Sequence, residues 1–186
     1  MGCNLSVEDS PDFSSTVCFL GLDGSGKSEI VYNLVNTEPS KKYVPVSTAG
    51  VEYHELPIGS TYLKIYDCGG MGKYRELWPQ FIRQSDGVVF VIDRSDKERM
   101  SRVREEIEEV MGLCNALSLP LLIFANKSDI DSTLKTQEIN QITRASTARI
   151  EYTIKECSAK TGDGLSSGRD WLLQHLKPRS QPTQVN

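Results

Sequence analysis

Residues 16–28 read TVCFLGLDGSGKS, and the segment 21–28 within them, GLDGSGKS, decides the fold. The run TVCFLG has the composition of a strand. The run GKSEIVYNLV that follows places Ile30, Val31, Leu34 and Val35 on one face of a helix. Between them lies the spacing G-x-x-x-x-G-K-[ST]. Glycines there let backbone N–H groups wrap phosphate oxygens, with a helix N-terminus behind them. In that reading Asp23, Gly24, Ser25 and Gly26 form the cradle, Lys27 reaches the β- and γ-phosphates, and Ser28 ligates Mg²⁺. The bland alternative is a Gly-rich turn. The strand before and the helix after select the phosphate-binding one.

Outward from this loop, strand and helix patterns alternate. VEYHELPIGSTYLKIYD reads as two strands around an Ile-Gly-Ser turn, an antiparallel edge. GVVFVID, LPLLIFAN and EYTIKECS read as strands. KERMSRVREEIEEVMGL carries Met100, Val103, Ile107 and Val110 at helical spacing with charge opposite. TLKTQEINQIT predicts a short helix and LSSGRDWLLQHLK a closing one. VVFVI and LLIFA are apolar at every position, the pattern of strands covered on both faces. The expectation is an α/β fold of three layers: a mainly parallel six-stranded sheet with helices on both faces. Residues 16–177 form the domain; residues 1–15, which are polar and acidic, read as a tail, and 178–186 as a frayed end.

Three more motifs fall at predicted strand ends. Asp67 to Gly70 read D-C-G-G; Asp67 can hold a metal-bound water, and the Gly70 amide can meet a γ-phosphate. Asn126 to Asp129 read N-K-S-D. A carboxylate at Asp129 can accept from N1–H and the 2-amino group of guanine, and the Asn126 amide can contact N7 and O6. Adenine offers no such donor pair. Lys127 can lay its stem over the purine. Ser158, Ala159 and Lys160 follow the last strand, where the Ala159 amide can bind the guanine O6. Each tetrapeptide alone is weak; in this order they line one crevice at the strand C-termini.

Composition excludes other classes. A chain of 186 residues with net charge −4 gives no electrostatic case for nucleic acid. Five cysteines without Cys-x-x-Cys, and only His54 and His175 as histidines, argue against a zinc centre or a Ser-His-Asp triad and suit reduced thiols in the cytosol. No apolar run is long enough for a membrane span.

GLDGSGKS, DCGG, LWPQFIRQSDGVVFVIDRSDKERM, NKSD and CSAKTGDGLSSGRDWLLQHL together resemble the small GTPases of the Ras superfamily, in the ADP-ribosylation-factor (Arf) and Arf-like branch, over about residues 16–177. GKYRELW with VIDRSDKERM is most similar to the ciliary Arf-like proteins. The resemblance implies a monomeric GTP/GDP switch with Mg²⁺. It places switch I near 40–51, with Thr48 as the Mg²⁺ and γ-phosphate ligand, switch II at 69–82, and an interswitch hairpin at 51–67 that shifts register between nucleotide states. Lys27, Thr48 and Gly70 would serve hydrolysis. Effectors would meet the switches and the interswitch, with Val51, Tyr74 and Trp78 on that face; core packing is the other reading of Trp78. An exchange factor and an activating protein are further implied partners. A small P-loop kinase is disfavoured, since no Arg-rich lid segment occurs and N-K-S-D selects guanine.

The sequence departs from that family at three places. Met71 stands where the family has the glutamine that orients the attacking water. A thioether is a weak acceptor and no donor, so weak hydrolysis is expected; the alternatives are that another group or a partner supplies the contact, or that the chain is a nucleotide-insensitive or constitutively GTP-bound scaffold. Glu29 replaces a threonine, putting a carboxylate near phosphates unless it points outward. Switch I reads PVSTAG rather than Pro-Thr-x-Gly. At the N-terminus, Met1 to Ser6 match M-G-x-x-x-[ST], an N-myristoylation signal on Gly2. One acyl chain binds membranes marginally; Glu8, Asp9 and Asp12 exclude a basic patch, which leaves Cys3 as the palmitoylation candidate. The expected location is cytoplasmic, peripheral on the cytosolic face of a membrane, with cilia included by the subtype.

Overall fold

The computed structural model describes residues 14–36, 43–59, 61–131, 133–144 and 148–177. The two expected tails and the N-terminal acylation motif lie outside them, apart from the strand start at Ser14–Ser15. The elements in chain order are β1 (Ser14–Leu20), α1 (Lys27–Val35), β2 (Val51–Ile58), β3 (Thr61–Cys68), α2 (Gly72–Arg75), α3 (Trp78–Gln84), β4 (Gly87–Asp93), α4 (Met100–Leu117), β5 (Leu121–Asn126), α5 (Thr136–Thr143), β6 (Tyr152–Glu156) and α6 (Leu165–His175).

Six strands form one sheet in the order β2-β3-β1-β4-β5-β6. Only β2–β3 is antiparallel; β1 pairs parallel with β3 and β4, and β5 parallel with β4 and β6. Every residue of β4 and β5 is buried, as their unbroken apolar runs require. Ile82 of α3, Val103, Ile107 and Val110 of α4 and Ile139 of α5 fill one side of the sheet. Ile30 and Val31 of α1 with Leu165 and Leu172 of α6 fill the other. This is the three-layer α/β P-loop architecture expected. Parallel pairing sends the ends of β1, β3, β4, β5 and β6 toward one edge, so the loops bearing the motifs converge there. Among the described residues no helix is long and apolar enough to cross a membrane.

Two helices escape the sequence pattern. α2 and α3 are four and seven residues long, with Gly72 opening one and Pro79 in the first turn of the other. Such lengths do not complete an apolar period. They are held by tertiary contacts instead. Trp78 is buried, donates its indole N–H to the Gly69 carbonyl at 3.1 Å, and meets Phe90 edge-on at 6.1 Å. It is therefore core, not effector face, and that expectation is corrected. Val51 is also partly buried against the core. Among the described residues, the exposed apolar side chains around the switches and interswitch include Val44, Val46, Tyr53, Tyr62, Met71 and Leu77.

α6 lies on β5 through Gly168, where an added Cβ would sit 2.3 Å from the Phe124 ring. Phe124 is fully buried and cannot swing away. Gly168→Ala gains about 1 kcal/mol of helix propensity, but overpacking costs roughly 1–3 kcal/mol. With two Phe124 ring atoms that close, the cost lies at the upper end of that range, and we expect a net loss of about 2 kcal/mol, read as a lower midpoint in urea denaturation; an unchanged or higher midpoint would show that α6 is not seated as described.

Candidate functional site

The cleft is built around the loop between β1 and α1. Gly26 has φ 92°, and an added Cβ would lie 2.3 Å from Asn126 Nδ2, so glycine is required on both counts. Asn126 at the end of β5 donates from Nδ2 to the Ser25 carbonyl at 2.8 Å and accepts at Oδ1 from the Ala159 amide at 2.9 Å. Asn126 is buried. Asn126 and the Ala159 N–H, both expected to face guanine, thus also lock the loops to each other. Ser158 donates its hydroxyl to Asp129 at 2.7 Å, and that bond holds the Asp129 carboxyl below the usual carboxylate range. Lys160 Nζ lies 3.9 Å from the same carboxylate. Lys127, at φ 68°, pairs with Asp93 at 2.6 Å and lines the cleft.

The cleft holds about 350 Å³ and is lined by Asp23, Gly24, Gly26, Lys27 and Ser28 on one side. Tyr43, Val46 and Thr48 close the other side, with Gly70 and Met71 at the end. Gly70 must be glycine, because a Cβ would meet the Asp23 nitrogen at 2.4 Å. Glu29 also borders the cleft. Met71 is 38% exposed and precedes α2 without a side-chain capping bond.

Ser28 Oγ and Thr48 Oγ1 lie 2.9 Å apart, so the Thr-Ala-Gly stretch of switch I does reach the phosphate loop. Asp67 is fully buried, and among the described residues neither of its carboxylate oxygens has a hydrogen-bond partner. Burial pushes its carboxyl up, opposed by the nearby Ser28 hydroxyl and Lys27 ammonium. Two hydroxyls and an unpartnered carboxylate are a hard, oxygen-only set that fits Mg²⁺. Lys27 is buried and donates to the Leu22 carbonyl at 2.9 Å. Burial lowers its pKa from 10.5 to about 8, against the pull of Asp67 and Asp23.

Sequence reading missed the braces. Arg75 donates from Nε to the Gly70 carbonyl at 2.8 Å, pairs with Glu106 at 2.8 Å, and lies 3.6 Å from Asp23. Arg99 holds Asp23 through its carboxylate at 3.1 Å and its carbonyl at 3.0 Å. The backbone adds a tie from Gly69 N to Gly50 O at 2.7 Å, linking the two switch segments. Cys18, Cys68, Cys114 and Cys157 are free and buried, and burial raises all four thiols.

Residues 6–176 match the model of the ADP-ribosylation factor family. ADP-ribosylation factor J of Dictyostelium discoideum is 33% identical over 166 residues, covering 86% of this chain and 84% of its own. Human ADP-ribosylation factor-like protein 5A is 32% identical over 169 residues, 88% of this chain and 90% of its own. The structure is similar to that of the Arl6 BBS3 small GTPase from Trypanosoma brucei with bound nucleotide analogue GppNp. The TM-score is 0.78 at 26% identity, over 87% of this chain and 96% of that one.

A Lys27 that meets the phosphates, as its place in the motif predicts, would make nucleotide binding pH-dependent through its lowered pKa. Phosphate anions favour the charged ammonium, so a bound nucleotide raises its pKa above the ligand-free value of about 8. Above that pH the free protein has lost the proton and must regain it on binding. Calorimetry of GDP binding at about pH 8.5, in two buffers of different ionisation heat, is expected to show net proton uptake, and affinity should fall as pH rises through 8 to 9. Zero uptake or release would mean that Lys27 is not the phosphate-contacting group.

Proposed function

The chain belongs to the ADP-ribosylation factor family as an Arf-like GTPase switch of the Ras superfamily, and on that premise we propose a Mg²⁺-dependent GTP/GDP switch with weak intrinsic hydrolysis. The observation that carries this reading is the Ser28–Thr48 hydroxyl pair at 2.9 Å beside the unpartnered Asp67. Ser28 and Thr48 would hold Mg²⁺ directly and Asp67 through a water; the ion when bound neutralises phosphate charge. Asp23 to Ser28 wrap the phosphates and Lys27 pairs with them. The Gly70 amide meets the γ-phosphate, so the presence of that group is sensed at the start of switch II. Asn126, Lys127 and Asp129, with Ser158, Ala159 and Lys160, select guanine. The relative from Trypanosoma brucei with bound GppNp supports a triphosphate ligand in this cleft.

Weak hydrolysis follows from Met71. It lines the cleft next to Gly70 but offers no N–H or O–H to orient a water. GTP-bound protein would then persist and recruit effectors through the exposed Val44, Val46, Tyr53 and Leu77 of the switches and interswitch. An exchange factor would load it. Acyl groups on Gly2 and Cys3 would hold it to the cytosolic face of a membrane. The second reading, a scaffold without turnover, is also favoured by Met71. The two differ in whether effector affinity changes between the GDP and GTP forms.

Single-turnover phosphate release from GTP-loaded protein tests the hydrolysis reading. Met71→Gln is expected to raise the rate by about a hundredfold, the scale of one positioned polar group. Equal rates in both proteins would show that another group positions the water.

A further inference from the structure

Beside the cleft, on the interswitch hairpin, Glu52, His54 and Asp67 each bring a donor atom to one place, all within 4.8 Å of one another. The hairpin register builds this arrangement. Glu52 stands opposite Asp67, and His54 opposite Ile65. Alternate residues of a strand share a face, so Glu52 and His54 lie on the same side of β2, next to Asp67. His54 Nε2 is 3.8 Å from Glu52 Oε2.

Two features call for a cation here. Like charges directly opposed on neighbouring strands destabilise a sheet, and Glu52 with Asp67 is such a pair. Asp67 is also fully buried with both oxygens unpartnered. One oxygen suffices for a water on the nucleotide's metal; the other still lacks a partner. A buried carboxylate in that state is costly.

We propose that Glu52, His54 and Asp67 form a second cation site for a divalent transition ion of the zinc or cobalt class. The site shares Asp67 with the Mg²⁺ reading above and in that respect rests on it. The donor set separates the two. An imidazole with two carboxylates suits zinc-like ions, whereas Mg²⁺ takes oxygen alone. Three protein ligands leave a fourth tetrahedral position for water. Glu52 is exposed and His54 half-buried, so the ion enters from solvent. Because its ligands come from both strands, the ion fixes their register. Sliding β2 by two residues would displace Glu52 and His54 by roughly 7 Å along β3, so the two could no longer share Asp67 as they do in this register.

The probe is Co²⁺ titrated into the full-length protein and followed by its visible d–d absorption, with Mg²⁺·GDP affinity measured separately. The natural protein is expected to develop the band of a four-coordinate site at one ion per chain. His54→Ala and Glu52→Gln are each expected to weaken Co²⁺ binding at least tenfold, by loss of a ligand, while keeping Mg²⁺·GDP affinity. Ser28→Ala is expected to do the reverse. Absence of the band in the natural protein overturns the proposal. So does Co²⁺ binding that survives both His54→Ala and Glu52→Gln, or that is lost in Ser28→Ala alone, which puts the ion in the nucleotide cleft. Failure of the Mg²⁺ reading is separate: GDP affinity would then be independent of Mg²⁺ whatever the Co²⁺ result.

Discussion

The site depends on the side chain of Asn126. Its amide holds the Ser25 carbonyl on one side and the Ala159 N–H on the other. Three loops, after β1, β5 and β6, are thereby fixed to one planar group. Buried amide hydrogen bonds contribute modestly when made, about 0.5–1.5 kcal/mol each, but leave costly orphans when broken. The constraint propagates into sequence: Gly26 must be glycine because Asn126 occupies the space of its Cβ. Asn33 of α1 also donates to the Ala159 carbonyl. The loop after β1 and the loops after β5 and β6 are therefore tied into one unit rather than two sites that happen to adjoin.

The switch segments attach to that unit through charge. Arg75 and Glu106 are both largely buried, and because Glu106 also takes Arg102 and Arg75 also nears Asp23, removal of either partner costs less than the roughly 3–5 kcal/mol of an isolated buried pair. Arg99 with Asp23 is about half exposed and worth far less. The stronger tie thus joins the start of switch II to α4, and the weaker one steadies the phosphate loop. Arg75 also holds the Gly70 carbonyl, so its guanidinium orients the Gly70–Met71 peptide group, next in the chain to the one that carries the Gly70 N–H.

How much of this was legible in the sequence follows from the range of each signal. The phosphate loop, Asp67 and the N-K-S-D segment are local motifs at strand ends, and the parallel sheet brings them together as expected. β4 and β5 were legible because burial on both faces leaves no polar position. α2 and α3 were not, because too few residues repeat and Trp78 is recruited by the distant Gly69 carbonyl and Phe90 ring. Arg75 with Glu106, 31 positions apart, leaves no periodic trace. Ser28 with Thr48 spans 20 positions and was reached only through family resemblance. Asn126 was identified as functional, but its inward hydrogen bonds depend on tertiary placement that no tetrapeptide encodes.

Met71 can be weighed on packing grounds. It is more than a third exposed, belongs to neither core cluster, and its extended backbone at the start of α2 is one that any residue adopts. The side chain makes no capping bond. Nothing in the fold therefore requires a thioether there, and a polar side chain of similar length fits the same space. A buried methionine would be explained by the volume it fills; this one faces the cleft beside Gly70. The consequence of the residue type is chemical. On the reading proposed above, it would remove a donor and acceptor from the place where a water is oriented, and would leave the phosphate cradle, the Ser28–Thr48 pair and the guanine clamp intact. Binding and turnover would thus be separated at one side chain.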